Sequence, residues 1–213
     1  MIYRTHRTFA LALTGAAFLF AQAPMGAWQT YAALGAAYMV APFPDLDKNG
    51  TWISRRTPVA DRFLSLFGHR TLTHSLLFAA GVGVLLALLR APDWLLVGVI
   101  LGWISHPLID LLNPMGVHLL WPLPKKFWIR SPYGLFTTDT GSAGEEMIHW
   151  CLNVVFALLL AIMVLRYLVL DQTHVFAFFH LEGMASYWIN RLTGWSVQPW
   201  IRHALRSLGV GAW

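Results

Sequence analysis

Charged side chains are scarce in this sequence. Only 12% of its 213 residues are Asp, Glu, Lys or Arg, whereas 57% belong to the apolar and aromatic class. A soluble domain usually carries about 25% charged residues, so this composition argues against a soluble globular protein. It favours a membrane protein, in which the lipid bilayer is the main partner of the apolar surface.

Cysteine is nearly absent as well. The single cysteine, Cys151, lies inside an apolar run, so no disulfide can form within the chain. Thiolate metal chemistry is also disfavoured, which leaves His, Asp and Glu as the metal ligands on offer. The net charge is +5, but no solvated basic domain stands apart from the apolar runs, so we expect no nucleic-acid partner.

Five apolar runs predict five transmembrane helices. They cover residues 8–23, 28–43, 72–89, 94–112 and 147–170. The first two are short for a bilayer, which needs about 20 residues. We predict an all-α fold, a polytopic membrane bundle of about five transmembrane helices with interfacial amphipathic helices, one of them near residues 57–67. Residues 1–170 form the membrane-embedded domain and residues 171–213 an amphipathic interfacial tail.

The candidate metal ligands at the ends of these runs all fall on one side when the chain is threaded through five crossings. Ionisable residues at membrane spans are costly and mark function. Ten of the fifteen basic residues fall on the same side, which the positive-inside rule makes cytoplasmic. The acids and histidines that share this side are His6, Asp45, Asp47, His69, His74, His106, Asp110, Glu145 and His149.

Two histidines stand directly before the third run, in the stretch Gly68-His69-Arg70-Thr71-Leu72-Thr73-His74-Ser75. Histidine is the commonest metal ligand and binds as the neutral imidazole. Arg70, Thr73 and Ser75 beside them suit an anionic oxygen ligand, for which arginine is the better bidentate partner.

Two acid–histidine pairs are spaced four apart. His106 and Asp110 share one helix face and could grip one metal; the alternative is that Asp110 only orients His106 by a hydrogen bond. Glu145 and His149 repeat the spacing, but Ser142 and Glu145 also form a capping box, so Glu145 could cap its helix instead.

The remaining polar positions are less specific. Asp45 and Asp47 would repel each other unless a cation lies near them; the alternative is a solvated helix end. The loop 117–144 is long enough to suggest a binding segment or lid. Within that loop, Tyr133, Thr137, Thr138 and Thr140 could line a site.

Several of these motifs together resemble one family. The matching segments are Phe43-Pro44-Asp45-Leu46-Asp47, Gly68-His69-Arg70 with Thr73-His74-Ser75, Ser105-His106 with Asp110, Asn113-Pro114 with Gly116, and Gly144-Glu145. In this order, over about residues 6–150, they resemble the YdjM-like family of LexA-regulated bacterial inner-membrane proteins. The resemblance implies a metal-dependent hydrolase, distantly similar to the zinc-dependent phospholipase C and single-strand nuclease group.

The resemblance also implies a ligand set. The implied metal ligands are His6, Asp45, His69, His106, Asp110 and Glu145, with Asp47 and His74 as ligands or immediate neighbours. The family often has histidine directly after its Asp-x-Asp element, where this chain has Lys48, so no metal role is expected at that position.

We therefore expect a multi-pass protein of the bacterial inner membrane with a metal site at its cytoplasmic face. One to three divalent ions, zinc or alternatively manganese, would serve hydrolysis of a lipid or isoprenoid phosphate. We assign Asp47, His74 and Arg70 to catalysis, and Arg55, Arg56, Arg70 and Ser75 to substrate binding. The alternative is a non-catalytic metal-binding membrane protein that acts as an assembly partner; a metal carrier is disfavoured because acids are missing from the centres of most spans.

Overall fold

The computed structural model describes residues 2–51, 53–129 and 139–169. These residues contain α-helices and short 3₁₀ turns but no β-strand, which confirms the all-α prediction. The six α-helices are α1 (Tyr3–Phe20), α2 (Trp28–Val40), α3 (Pro58–Leu64), α4 (Leu76–Leu88), α5 (Asp93–Asp110) and α6 (Ala143–Val169). Four 3₁₀ turns lie at Phe43–Asp47, Ser54–Arg56, Ser65–Phe67 and Leu72–His74.

The chain divides into two compact units, Met1–Arg166 and Tyr167–Trp213. Every contact described below lies within the first unit. The predicted amphipathic tail at residues 171–213 and the loop residues Tyr133, Thr137 and Thr138 lie outside the described residues.

Helices α1, α2 and α5 pack against one another, and two glycines bring α5 close to α2. A methyl group at Gly102 would lie 2.6 Å from the carbonyl oxygen of Ala37, and one at Gly98 would overlap the carbonyl oxygen of Ala33. Small residues spaced four apart allow this close backbone approach between helices. The contact holds the C-terminal end of α2 beside the last two turns of α5.

Helices α4 and α6 have an apolar surface that the rest of the described chain leaves uncovered. Leu88 is 76% exposed and Leu158 is 60% exposed, and Ala79 is the one buried residue of α4. Exposed apolar surface of this extent is typical of a face that contacts lipid or another protein.

Two of the described helices are long and apolar enough to cross a membrane, namely α5 and the segment Ala143–Leu168 of α6. Helices α2 and α4 have 13 residues each, or about 20 Å at 1.5 Å per residue, against a hydrocarbon core of about 30 Å. The five-span topology therefore stays a prediction.

The predicted interfacial helix near residues 57–67 corresponds to α3 and the 3₁₀ turn that follows it. Val59, Phe63 and Leu66 are exposed on one side of it, while Asp61 is buried on the other. This amphipathic arrangement agrees with a helix that lies along a membrane surface.

Candidate metal centre

The helix ends that carry the acids and histidines converge at one end of the bundle. His6 lies in the second turn of α1, Asp45 and Asp47 lie in the 3₁₀ turn after α2, His69 and His74 precede α4, and His106 and Asp110 occupy the last two turns of α5. Antiparallel packing of successive helices explains this, because it alternates helix starts and helix ends at the same level. The convergence expected from threading the sequence is found for these seven residues.

His6 and His106 stack on each other at the centre of this cluster. Their ring centroids are 3.6 Å apart and their planes differ by 2°. His106 Nε2 lies 3.6 Å from Asp45 Oδ1, so His6, Asp45 and His106 form one group with closely spaced ligand atoms. Both imidazoles are fully buried.

Asp110 is surrounded by three imidazoles. Its carboxylate oxygens lie 3.6 Å from His6 Nε2, 3.8 Å from His74 Nε2 and 3.9 Å from His106 Nε2. His74, His106 and Asp110 form a second group of potential ligands, and all three are buried.

The tautomers of two histidines follow from their other contacts. His106 Nδ1 lies 2.7 Å from the carbonyl oxygen of Ala41; because a carbonyl only accepts, Nδ1 carries the proton. His74 Nδ1 likewise faces Asp47 Oδ2 at 3.2 Å and Thr73 Oγ1 at 3.0 Å. In the neutral form of both rings, which is the form that binds a metal, the Nε2 lone pair points toward a carboxylate, and this contact is repulsive unless a cation lies between them.

Asp47 orients two of the histidines. His69 Nδ1 donates to its Oδ1 at 2.7 Å, while the Thr73 hydroxyl and the Arg70 backbone N–H donate to its Oδ2 at 2.5 and 3.1 Å. Burial alone would raise the pKa of Asp47, but hydrogen bonds from His69 and His74 outweigh it and hold that pKa well below its usual range. An ionised carboxylate behind a metal-binding imidazole is the usual way in which proteins fix the tautomer and orientation of such a ligand.

A third group lies at the open edge of the cluster and contains Asp45, Asp47, His69 and His74. The side chains of His69 and Asp45 are 24% and 14% exposed, unlike the fully buried imidazoles behind them. The cluster is therefore open to solvent on the side of His69 and Asp45.

The residues present fit a divalent metal. Within the cluster, four imidazole nitrogens are buried without a hydrogen-bond partner, namely His6 Nδ1, His6 Nε2, His74 Nε2 and His106 Nε2. Buried polar atoms in proteins rarely lack a partner unless an ion or an ordered water satisfies them. Two nitrogen or oxygen ligands on one tetrahedral zinc ion lie roughly 3.4 Å apart, close to the 3.6 Å that separates His106 Nε2 from Asp45 Oδ1.

Arg70 supports the cluster from within, which changes the role predicted for it. Its Nε lies 3.1 Å from Asp110 Oδ2 and its Nη1 donates to Asn113 Oδ1 at 2.8 Å. The side chain is buried, and the backbone has a φ of 64°, a region that non-glycine residues seldom adopt. Arg70 therefore holds Asp110 in place, and its buried guanidinium is not presented to a substrate as we had predicted.

Ser75, to which we assigned substrate binding, has structural partners. The Ser75 hydroxyl caps α4, where it accepts from Phe78 N at 3.1 Å and donates to the Leu72 carbonyl at 2.7 Å. Because this cap occupies the hydroxyl, the predicted substrate contact of Ser75 has no support here.

Glu145 joins the start of α6 to the start of α1. One carboxylate oxygen accepts from the Thr5 hydroxyl at 3.1 Å and from the Ile2 backbone N–H, and the other accepts from Gly141 N at 2.7 Å. Glu145 N donates to Ser142 Oγ at 3.2 Å, as the capping box predicts. Among the described residues, no group of potential metal ligands includes Glu145, so its contacts agree with the capping alternative, and the ligand role implied by the family resemblance stays a prediction.

Arg55 and Arg56, predicted to bind substrate, lie exposed in the 3₁₀ turn Ser54–Arg56. Two supporting residues were not assigned from the sequence, namely Asn113, which accepts from Arg70, and Trp103, whose Nε1 donates to the Thr73 carbonyl at 2.8 Å. Asn113 lies three residues after Asp110 and belongs to one of the segments that resemble the family, and these are the sequence signals that could have revealed its role.

Comparisons with known proteins found one family and several similar chains. Residues 1–175 match the model of the family described as YdjM inner membrane protein. Over 100 residues the chain is 38% identical to inner membrane protein YdjM of Escherichia coli (strain K12) and to that of Shigella flexneri; each match covers 43% of this chain and 50% of the relative. It is 30% identical over 109 residues to uncharacterized protein YvsG of Bacillus subtilis (strain 168), which covers 51% of this chain and 65% of that protein.

The matched region thus spans about half the length of the Escherichia coli and Shigella flexneri relatives. No solved structure matches the chain.

Proposed function

The chain belongs to the YdjM inner membrane protein family, and from that premise we propose that it is a membrane-embedded, metal-dependent hydrolase of phosphate esters. The reaction adds water across the ester bond and releases phosphate and an alcohol. The substrate class is a lipid or isoprenoid phosphate, since the site lies at the end of a membrane helix bundle. One to three divalent ions, zinc or alternatively manganese, serve the reaction.

One observation carries the proposal. The Nε2 atoms of His6, His74 and His106 are buried without hydrogen-bond partners and face the carboxylates of Asp45 and Asp110. A bound cation converts this repulsive arrangement into a set of ligands. Hydrolytic metal sites combine such ligands with one open position, and here the partly exposed His69 and Asp45 mark that open side.

A divalent ion, when bound, polarises a phosphoryl oxygen and lowers the pKa of a bound water. The chain's own residues hold and orient the groups around it. Asp47 keeps the proton of His69 on Nδ1, which leaves Nε2 as the nitrogen that can bind metal or accept a proton. Arg70 and Asn113 fix Asp110, so that its carboxylate stays aimed at the three imidazoles.

The position of the site in the membrane follows from α5. Trp28 and Trp94 meet edge to face, with ring centroids 5.7 Å apart, at the first residues of α2 and α5, where an interfacial aromatic belt would lie. Asp110 is 16 residues further along α5, or about 24 Å, which approaches the thickness of the hydrocarbon core. With five spans and the positive-inside rule, the metal centre lies at the cytoplasmic face.

The test is hydrolysis by the purified full-length chain in detergent. Protein stripped with a chelator should release no phosphate from short-chain phosphatidic acid or a polyprenyl phosphate, and zinc or manganese should restore release. The variant His106→Ala should stay inactive after reloading, whereas the control His118→Ala should keep its activity. Absence of hydrolysis across phosphomonoesters and phosphodiesters, with metal bound, would refute the catalytic proposal.

A non-catalytic metal-binding role is the second candidate, and burial favours it. His6, His74, His106 and Asp110 are at most 1% exposed, and closed metal sites are typically structural. This candidate predicts that metal removal lowers stability while the loaded protein shows no hydrolysis, so the same assay separates the two functions.

A further inference from the structure

A cleft beside the metal centre is not explained by the ligand cluster. Its volume is about 240 Å³, and its lining includes Asp45, Lys48, Thr51 and Thr140 together with the apolar residues Pro42 and Ile53. Pockets that enclose a drug-sized ligand measure about 300–1,000 Å³, so this cleft suits a headgroup better than a whole lipid. Through Asp45 it is continuous with the group formed by His6, Asp45 and His106.

The loop that carries Lys48 is held against the metal centre. The Lys48 backbone N–H donates to the Asp45 carbonyl at 3.2 Å, and the Thr51 hydroxyl donates to the same carbonyl at 3.0 Å. Gly50 completes the turn with a φ of 84°, which glycine adopts without strain. The turn thus fixes the backbone of Lys48 three residues from a metal-ligand candidate while its side chain stays exposed.

The charges of the cleft are complementary to an anion that binds next to a cation. Among the residues that the structure describes, Lys48 is the only basic residue that lines it, and Asp45 is the only acidic one. Asp45 alone would repel a phosphate, but a metal-bound Asp45 no longer presents a free negative charge. The lysine ammonium is a compact point charge with three donors and binds phosphate oxygens well.

From these observations we infer that the cleft between α1 and the Lys48 loop binds the phosphate group of the substrate, and that Lys48 is the residue that selects for the anion. This inference rests on the proposed function and specifies its substrate-binding side. The inference assigns the binding of the substrate phosphate to Lys48, for which no metal role is expected. Arg70 is not assigned this role, because its guanidinium contacts Asp110. Pro42 and Ile53 supply an apolar wall for the carbon atoms next to the phosphate.

The test uses the zinc-loaded, full-length protein and inorganic phosphate as the probe, with binding measured by titration calorimetry and zinc content measured on each sample. Lys48→Met should weaken phosphate binding by about tenfold or more, the usual effect of losing a charge-assisted hydrogen bond. Lys48→Arg should keep most of the affinity. The matched control is Lys125→Met, since Lys125 is also an exposed lysine but lies over the Phe127 ring.

A lipid arm identifies the source of the phosphate. If nanodiscs with phosphatidic acid compete with inorganic phosphate and phosphatidylcholine nanodiscs do not, the cleft takes a lipid headgroup; if neither competes, it takes soluble phosphate esters. Equal phosphate affinity of Lys48→Met and wild type at equal zinc content would overturn the inference, as would zinc-loaded wild type that binds no phosphate. Wild-type protein that binds no zinc would count against the proposed function instead. Phosphate binding that depends on Lys48 but is not accompanied by hydrolysis would also count against the proposed function.

Discussion

The metal-centre end of the bundle and the outward faces of α4 and α6 differ in which residues are buried. At the metal centre, histidines, aspartates and an arginine are buried, while on α4 and α6 the leucines are exposed. In a water-soluble protein both regions would be costly, because polar groups belong outside and apolar groups inside. In our proposal, lipid around α4 and α6 would remove one cost, and ions among the carboxylates and imidazoles would remove the other.

The comparison separates residues by what their removal would do. Each polar side chain at the metal centre has a buried polar or charged partner, or would bind the expected ion. Removal of one side chain therefore leaves a buried polar group without a partner. A substitution of an apolar residue on the outer faces should have little effect. Lipid tails are as apolar as leucine, so the surroundings of the substituted position stay apolar. Four substitutions test this contrast, and the first should have the largest effect.

Asp110→Ala should cause the largest loss of stability of the four substitutions. It removes the acid that faces three imidazoles and leaves the Arg70 guanidinium buried beside a methyl group. Breaking a buried ion pair in this way costs about 3–5 kcal/mol, and metal binding should be lost as well. Unfolding in detergent and elemental analysis check both, with the exposed acid at the other end of α5, Asp93→Ala, as the control. Full metal content in Asp110→Ala would break the contrast.

Gly102→Val should separate the two helices that form the metal centre. Its side chain would collide with the Ala37 carbonyl, at a cost of about 1–3 kcal/mol for overpacking. Because this pushes Asp45 away from His106, metal affinity should fall too. The matched control is Gly81→Val on α4, where nothing lies within 4 Å of the added carbon. Equal melting temperatures for the two variants would show that the close helix contact is not needed.

Glu145→Gln should lower stability without loss of metal. The amide keeps the shape of the side chain but gives up the charge that three donors share, which we expect to cost about 1 kcal/mol. Metal content measured beside thermal melting distinguishes capping from ligation, and Glu146→Gln at the exposed neighbouring position is the control. A stoichiometric loss of metal from Glu145→Gln would return this residue to the ligand set implied by the family resemblance.

Leu158→Ala should have the smallest effect. The residue is 60% exposed on α6, and a surface substitution of this kind changes stability by at most about 0.5 kcal/mol. Met163→Ala on the same helix removes a fully buried side chain and should cost about 2–5 kcal/mol. Melting curves in lipid nanodiscs compare the pair, and equal losses would mean that the outer face of α6 packs against protein.

The all-α class and the convergence of the candidate metal ligands could both be predicted from the sequence. Apolar runs broken at Pro and Gly located the helices, and their alternating direction placed His6, Asp45, His74, His106 and Asp110 at one level. This works because a helix that enters a bundle at one end must leave it at the other, so residues at successive ends become neighbours whatever the details of packing.

The roles of individual polar residues could not be predicted in the same way. The side chains have the chemistry that the assigned roles need in three cases, Glu145, Ser75 and Arg70. Their hydrogen-bond partners, however, lie in distant segments of the chain or in the nearby backbone. The Thr5 hydroxyl that contacts Glu145 is 140 residues away, and Asn113, which contacts Arg70, is 43 residues away. Residue type indicates what a group can bind, whereas three-dimensional contacts decide what it does bind.

The measurement that tests the central claim most directly is the metal content of the chain purified without added metal. Elemental mass spectrometry should find at least about one zinc or manganese ion per wild-type chain, and should find it lost from His106→Ala but kept in His118→Ala. Wild-type protein that is folded yet carries no divalent ion, and gains none on incubation with zinc or manganese, would contradict the account.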